Sequence, residues 1–181
     1  AEFGTSANMA LSVLPALSVG VYEVLAEHGE KELVDYFATN MASGKWSGTM
    51  CLTEPHAGTD LGMITTKAVP QEDGTYLVTG TKIFITYGEH DMTENIVHLV
   101  LAKTPDAPEG TRGISLFLVP KYLPSEWKSE GLSGVSEELN TQHNGVTCSG
   151  SEEKMGVHAS PTCVMNFEQS RGWRVGDLYN G

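Results

Sequence analysis

Tyr76-Leu-Val-Thr-Gly-Thr-Lys-Ile-Phe-Ile-Thr86 and Ile96-Val-His-Leu-Val-Leu-Ala102 are rich in β-branched and aromatic residues and are bounded by turn-forming clusters, which is the composition of extended strands. The second run is apolar at nearly every position, so it reads as a central strand covered on both faces. Working outward, the same signature marks strands at 47–52, 65–69, 114–120, 146–149 and 162–167. Between them lie turns such as Glu72-Asp-Gly-Thr75, Glu89-His-Asp91 and Thr104-Pro-Asp-Ala-Pro-Glu-Gly110. Strands joined by short turns, without intervening helices, argue for an antiparallel barrel or sandwich.

Before residue 44 the period changes. Leu11, Leu14, Leu17, Val21 and Leu25 recur at three- and four-residue steps and predict one apolar helical face. Pro15 interrupts them, so the helix starts near it or kinks there. Leu33, Tyr36, Phe37 and Met41 predict a second helix ending at Ser43-Gly44. The expected class is α+β, with residues 1–44 closing a helical layer and 45–181 forming a β-domain. A polar, Gly- and Ser-rich excursion at 122–145 reads as a long surface connection.

The chain has 181 residues and a net charge of −12. That charge would repel a phosphate backbone, and no basic cluster offsets it, so nucleic acid is excluded as a partner. No apolar run was expected to reach the roughly 20 residues that span a bilayer. The start, Ala1-Glu-Phe-Gly-Thr-Ser6, lacks a signal peptide's basic and apolar regions, and the expectation is a soluble protein.

Cys51, Cys148 and Cys163 are an odd number without a Cys-x-x-Cys pair, and read as reduced packing residues. The histidines have no metal-ligand spacing. Trp46, Trp127 and Trp173 read as core or loop anchors, Lys82 as a solvated or capping cation, and Glu137-Glu138 and Glu152-Glu153 as solvated faces.

The chemistry concentrates in Met50-Cys-Leu-Thr-Glu-Pro-His-Ala-Gly-Thr-Asp60 and Lys82-Ile-Phe-Ile-Thr86. Each ends an apolar strand in hydroxyls and small residues. Pro55 cannot continue a ladder, which frees backbone N–H groups near Leu52 and Thr53 for a ligand. Ala57-Gly58-Thr59 permits close backbone approach to a phosphate. Taken singly, each piece reads as a turn or a strand-end hydroxyl.

Together they resemble the flavin-contacting segments of the acyl-CoA dehydrogenases, which carry Thr-Glu-Pro-x-Ala-Gly-Ser/Thr-Asp and, about thirty residues on, Trp/Phe-Ile-Thr/Ser. The resemblance continues through Gly113-Ile-Ser-Leu-Phe-Leu-Val-Pro120, Glu153-Lys-Met-Gly-Val-His-Ala-Ser-Pro-Thr-Cys-Val-Met-Asn-Phe-Glu168 and Val175-Gly-Asp-Leu-Tyr-Asn-Gly181. Thr53-Glu-Pro-His56 and His143-Asn-Gly-Val146 are most similar to the branch of large enzymes that includes 3-methylmercaptopropionyl-CoA dehydrogenase.

The resemblance implies that this is the family's middle β-domain, binding FAD. By match, Leu52 and Thr53 serve the flavin's pyrimidine edge, Thr59 the pyrophosphate and pantetheine chain, and Phe84, Ile85 and Thr86 the ring near N5. Met50 and Thr59 are the substrate contacts. Phe84 stands where Trp is frequent and Met50 where an aromatic is common, which bears on the width of the acyl pocket. His56 is an imidazole beside this site that reads as a turn residue or as a phosphate or CoA donor.

The implied reaction oxidises an acyl-CoA thioester to the trans-2-enoyl-CoA and passes electrons to an electron-transferring flavoprotein. Its base is a Glu of a C-terminal helical domain, expected beyond Gly181. Glu54 is rejected as that base because a Glu before Pro satisfies local backbone groups. The resemblance also implies a homo-oligomeric parent in bacterial cytoplasm or mitochondrial matrix. The alternatives are a non-catalytic β-barrel binding module and an acyl-CoA oxidase-type flavoenzyme.

Overall fold

The computed structural model describes residues 2–124 and 142–181. Trp127, Glu137-Glu138 and most of the 122–145 excursion lie outside them. The two ends of the excursion are paired: Leu123 N–H donates to the Gln142 carbonyl at 3.0 Å and Asn144 N–H to that of Lys121 at 2.9 Å.

The helical part opens with α1 (Glu2–Ala7) and α2 (Met9–His28). Between them Asn8 turns extended, and its side chain accepts from Leu11 N–H at 3.0 Å, capping the first turn of α2. Pro15 lies inside α2 and does not begin it. The buried face is Ala10, Val21 and Leu25, and Leu11, expected on it, is exposed.

The second predicted helix is not regular: α3 (Lys31–Leu33) and α4 (Thr39–Ala42) flank a π-helical turn over Val34–Ala38. The wider turn puts the neighbours Phe37 and Ala38 both in the core. Phe37 then meets Trp46 and Trp173, with ring centroids 5.7 and 5.5 Å apart. These two tryptophans are core anchors, as expected.

The membrane expectation needs correction. α2 has 20 residues with a mean hydropathy of 1.7 over its best window, long and apolar enough by those measures to cross a membrane. In this fold one face of α2 docks on the sheet instead, at Gly48. A Cβ there would lie 2.7 Å from both Val21 Cβ and Met41 Cε, so only glycine permits the approach.

The sheet has seven strands: β1 (Trp46–Cys51), β2 (Lys67–Pro70), β3 (Tyr76–Thr86), β4 (Asn95–Lys103), β5 (Ile114–Pro120), β6 (Val146–Ser151) and β7 (Thr162–Val175). It is mixed, not antiparallel throughout, because β1 and β2 both run parallel to β4. Long connections through β2 and β3 bring the chain back in β1's direction, which no local turn pattern reveals.

The pairings run β4-β2-β3-β7-β5 and return to β4. The β2–β4 contact is the single pair Lys67 and Lys103, so the sheet curls on itself without a full ladder at that seam. β7 extends well past the predicted 167. Gln169, at φ +52°, marks a register shift in β7, after which Ser170–Gly172 pair with β3 and Trp173–Val175 with β5.

β4 is buried from Asn95 to Ala102, as its double apolar face requires. Val97 and Leu99 pack with Val21, Leu25, Phe37 and Trp46 on the helical side. Val100 and Ala102 pack with Val78, Phe117, Met165 and Phe167 inside the curl. His98 shares that interior, its Nδ1 2.7 Å from Thr49 Oγ1. Burial pushes it down to about 3, so the ring is neutral. Cys51 and Cys163 are buried free thiols and Cys148 is half-buried; burial raises the first two to about 12 and about 11, the state of inert packing residues.

Gly48→Ala is expected to lower the unfolding free energy by about 1–3 kcal/mol, the usual cost of overpacking. Urea denaturation measures it, and an unchanged midpoint would contradict the docking described.

Candidate functional site

β1 ends at Cys51, and the chain turns through Glu54-Pro55-His56-Ala57. Glu54 and Ala57 exchange backbone hydrogen bonds of 2.9 and 3.0 Å, a tight turn in which Pro55 occupies the position that favours its fixed φ. Leu52 and Thr53 lie against β3 just before this turn. Ile83 N–H donates to the Thr53 carbonyl at 2.8 Å instead of joining the β3–β7 ladder, whose register shifts between Lys82 and Ile85.

Phe84 sits in that shift with φ +60°, a conformation strained for an aromatic residue, and its side chain is 57% exposed. Gly58 also approaches: a Cβ on it would lie 3.7 Å from Thr53 Cγ2. Thr53 therefore lies against Gly58 on one side and Ile83 on the other, with Phe84 next along the chain, while Thr86 ends β3 opposite Thr162 of β7. Among the described residues, the Thr53 N–H and the hydroxyls of Thr53, Thr59 and Thr86 have no hydrogen-bond partner.

Two of the expected contacts stand apart. The Ile85 side chain is buried in the interior of the curl, which leaves only its backbone for a ligand. Met50 is half-buried and packs against the helical-side cluster that contains Trp46 and Leu99. His56 is exposed, and its Nε2 is 3.1 Å from the Met63 carbonyl oxygen. It is a turn residue with a local partner.

Beneath this surface lies a buried ion pair that the sequence reading missed. Lys82, expected to be solvated or capping, is 0% exposed; its Nζ donates to Glu54 Oε1 at 2.9 Å and to the Leu52 carbonyl at 2.9 Å. Glu54 also accepts from Thr65 N–H and Oγ1 at 2.7 and 2.9 Å, and from Thr66 N–H and Oγ1 at 3.0 and 2.5 Å. Gly80 makes room for this, because a Cβ there would lie 2.3 Å from Thr66 Oγ1. A Lys between Thr81 and Ile83 in an apolar strand, at a position facing inward, was the available signal.

Burial alone would raise the Glu54 carboxyl, but donation from Thr66, Thr65 and Lys82 outweighs it and brings the group down to about 2. Burial likewise pulls the Lys82 ammonium below its ordinary value, and Glu54 opposes that pull. A carboxylate so held is a poor proton acceptor at neutral pH.

Folding depresses the Glu54 pKa, so its stabilisation is complete above the ordinary value of 4.5 and is lost as pH falls through about 2. Glu54→Gln is expected to flatten the dependence of unfolding free energy on pH across that window; parallel curves for variant and parent would contradict the assignment. Lys82→Met, which strands Glu54 without its cation, is expected to cost roughly 3 kcal/mol in the same denaturation measurement.

Comparison with known proteins agrees with this geometry. The family model of the acyl-CoA dehydrogenase middle domain matches residues 49–170. The 3-methylmercaptopropionyl-CoA dehydrogenase of Ruegeria pomeroyi is 48% identical over 180 residues, covering 99% of this chain and 29% of that protein. A butyryl-CoA dehydrogenase of Syntrophomonas wolfei is 41% identical over 180 residues, covering 97% of this chain and 28% of its own length. Among solved structures, Caenorhabditis elegans ACDH-11 in complex with C11-CoA superposes with a TM-score of 0.73 at 25% identity, over 94% of this chain and 27% of that one. The chain thus spans less than a third of the relatives it matches here. A mixed sheet carrying Thr53, Gly58 and Phe84 at one end, matched over most of its length by this domain, belongs to the acyl-CoA dehydrogenase family.

Proposed function

We propose that this chain is a section of an FAD-dependent acyl-CoA dehydrogenase that converts an acyl-CoA thioester to its trans-2-enoyl-CoA. Residues 1–44 would close its N-terminal helical domain and 45–181 would form its middle β-domain. The observation that carries the reading is the exposed, strained Phe84 next to Ile83, whose N–H holds the Thr53 carbonyl, beside the unpartnered Thr53 N–H and the close approach of Gly58.

The residues present fit the cofactor. A flat ring needs an aromatic wall and donors at its polar edge, and Phe84 and Thr53 offer both. Bound FAD would supply the two-electron acceptor for the hydride lost from the substrate's β-carbon as the α-proton is removed. Thr53 N–H would donate to the pyrimidine edge, where negative charge develops. Phe84 would cover one face of the ring and exclude water from it, and the Thr86 hydroxyl would donate near N5. Gly58 and Thr59 would receive the pyrophosphate, and Thr59 also the pantetheine. Met50 faces the helical side, where an acyl chain would run between sheet and helices.

Glu54 is too well satisfied to remove the substrate's α-proton. The base is therefore proposed to belong to a part of the protein outside this chain, and the 181-residue chain to be inactive alone. The identity to the Ruegeria enzyme favours a 3-methylthio or short acyl group as substrate, and an electron-transferring flavoprotein as acceptor. A homo-oligomer of bacterial cytoplasm or mitochondrial matrix accords with the family.

The test is purification of the whole gene product. It is expected to be yellow with FAD and to bleach without oxygen on addition of 3-methylmercaptopropionyl-CoA or butyryl-CoA. Stoichiometric peroxide in air would favour an oxidase, and absence of flavin a non-catalytic binding module. The 181-residue chain by itself is expected to show no turnover.

A further inference from the structure

The Leu52–Thr53 peptide is gripped at one end by a buried cation. Lys82 Nζ donates to the Leu52 carbonyl at 2.9 Å. That carbonyl and the Thr53 N–H belong to the same peptide group, and the described backbone has no cis bond. In a trans peptide the C=O and N–H point in opposite directions. Holding the oxygen toward the buried Lys82 therefore turns the Thr53 N–H away from it, where no described residue accepts it. The next peptide is fixed as well, because the Thr53 carbonyl accepts from Ile83 N–H at 2.8 Å. Glu54 holds the other side of the cation at 2.9 Å and is itself anchored by Thr65 and Thr66.

We propose that Lys82 is a positioning residue for the flavin: through the Leu52 carbonyl it aims the Thr53 N–H at the pyrimidine edge and polarises it. This rests on the FAD reading above. A cation on a carbonyl withdraws electron density from the whole amide and makes its N–H a stronger donor. That donor gains most when the ring edge carries negative charge, so the effect falls on the reduced state. Lys82 touches neither flavin nor substrate. It acts one peptide away, from a place where water cannot screen it.

The whole gene product is compared as the unsubstituted protein, Lys82→Met, Lys82→Gln and Val78→Ala. Val78 is a buried residue of the same strand, in the interior cluster, and its truncation destabilises without touching Leu52. FAD dissociation constants and flavin reduction potentials are measured by titration and by equilibration with a reference dye. Lys82→Met is expected to bind FAD about tenfold more weakly, the scale of one lost charge-supported hydrogen bond, with a lowered potential. Lys82→Gln keeps a donor for the Leu52 carbonyl but no charge. It is expected to retain most of the affinity while its potential still falls, and it carries the test if Lys82→Met does not fold. Val78→Ala is expected to leave the potential unchanged. A flavin-loaded Lys82→Gln or Lys82→Met with the parent's potential overturns the inference and leaves the dehydrogenase reading standing. An unsubstituted protein without flavin overturns both.

Discussion

Burying a carboxylate and an ammonium costs on the order of several kcal/mol per ion unless their remaining hydrogen-bonding capacity is filled. Glu54 meets that condition with donors from Thr65, Thr66 and Lys82, and the Lys82 ammonium places two of its three donors, on Glu54 and on the Leu52 carbonyl. The pair joins the turn after β1, the segment entering β2 and the middle of β3. These three pieces are far apart in sequence, and only their convergence brings Thr53 beside Phe84. The surface proposed to meet the flavin is the outer side of this buried polar node.

The curled sheet sets the directions on which the node relies. β4 lies at its centre, flanked by β1 and β5, with apolar residues on both faces. α2 and the π-widened helical run cover one face, where Gly48 allows close contact with Val21 and Met41. The other face closes over a buried interior in which His98 stays neutral and the Cys51 and Cys163 thiols stay protonated. Backbone groups become free only where ladder pairing stops, as at Thr53 after β1.

Phe84 is among the non-glycine residues with a positive φ. Phe84 adopts a left-handed conformation and exposes a large ring, at an energetic cost that apolar packing does not recover. The register shift in β3 that produces it also releases the Ile83 N–H to hold Thr53. One irregularity therefore both presents the aromatic wall and fixes the donor beside it.

Strand period and turn chemistry sufficed to locate β1 to β6 closely and the helices approximately, while the family resemblance of the Thr-Glu-Pro and Phe-Ile-Thr segments named Met50, Leu52, Thr53, Thr59, Phe84, Ile85 and Thr86 as site candidates. Those are local properties: alternation, Gly and Pro placement, and hydroxyls at strand ends follow from neighbours along the chain. What the tertiary structure alone decided is non-local. The parallel β1–β4 and β2–β4 pairings, the full length of β7, the π turn around Phe37 and the burial of Lys82 each depend on partners tens of residues away. Lys82 shows the reason most plainly. By itself it is a charged residue in a strand, and it becomes a buried anchor only because folding carries Glu54 and the Leu52 carbonyl to within hydrogen-bond distance of it.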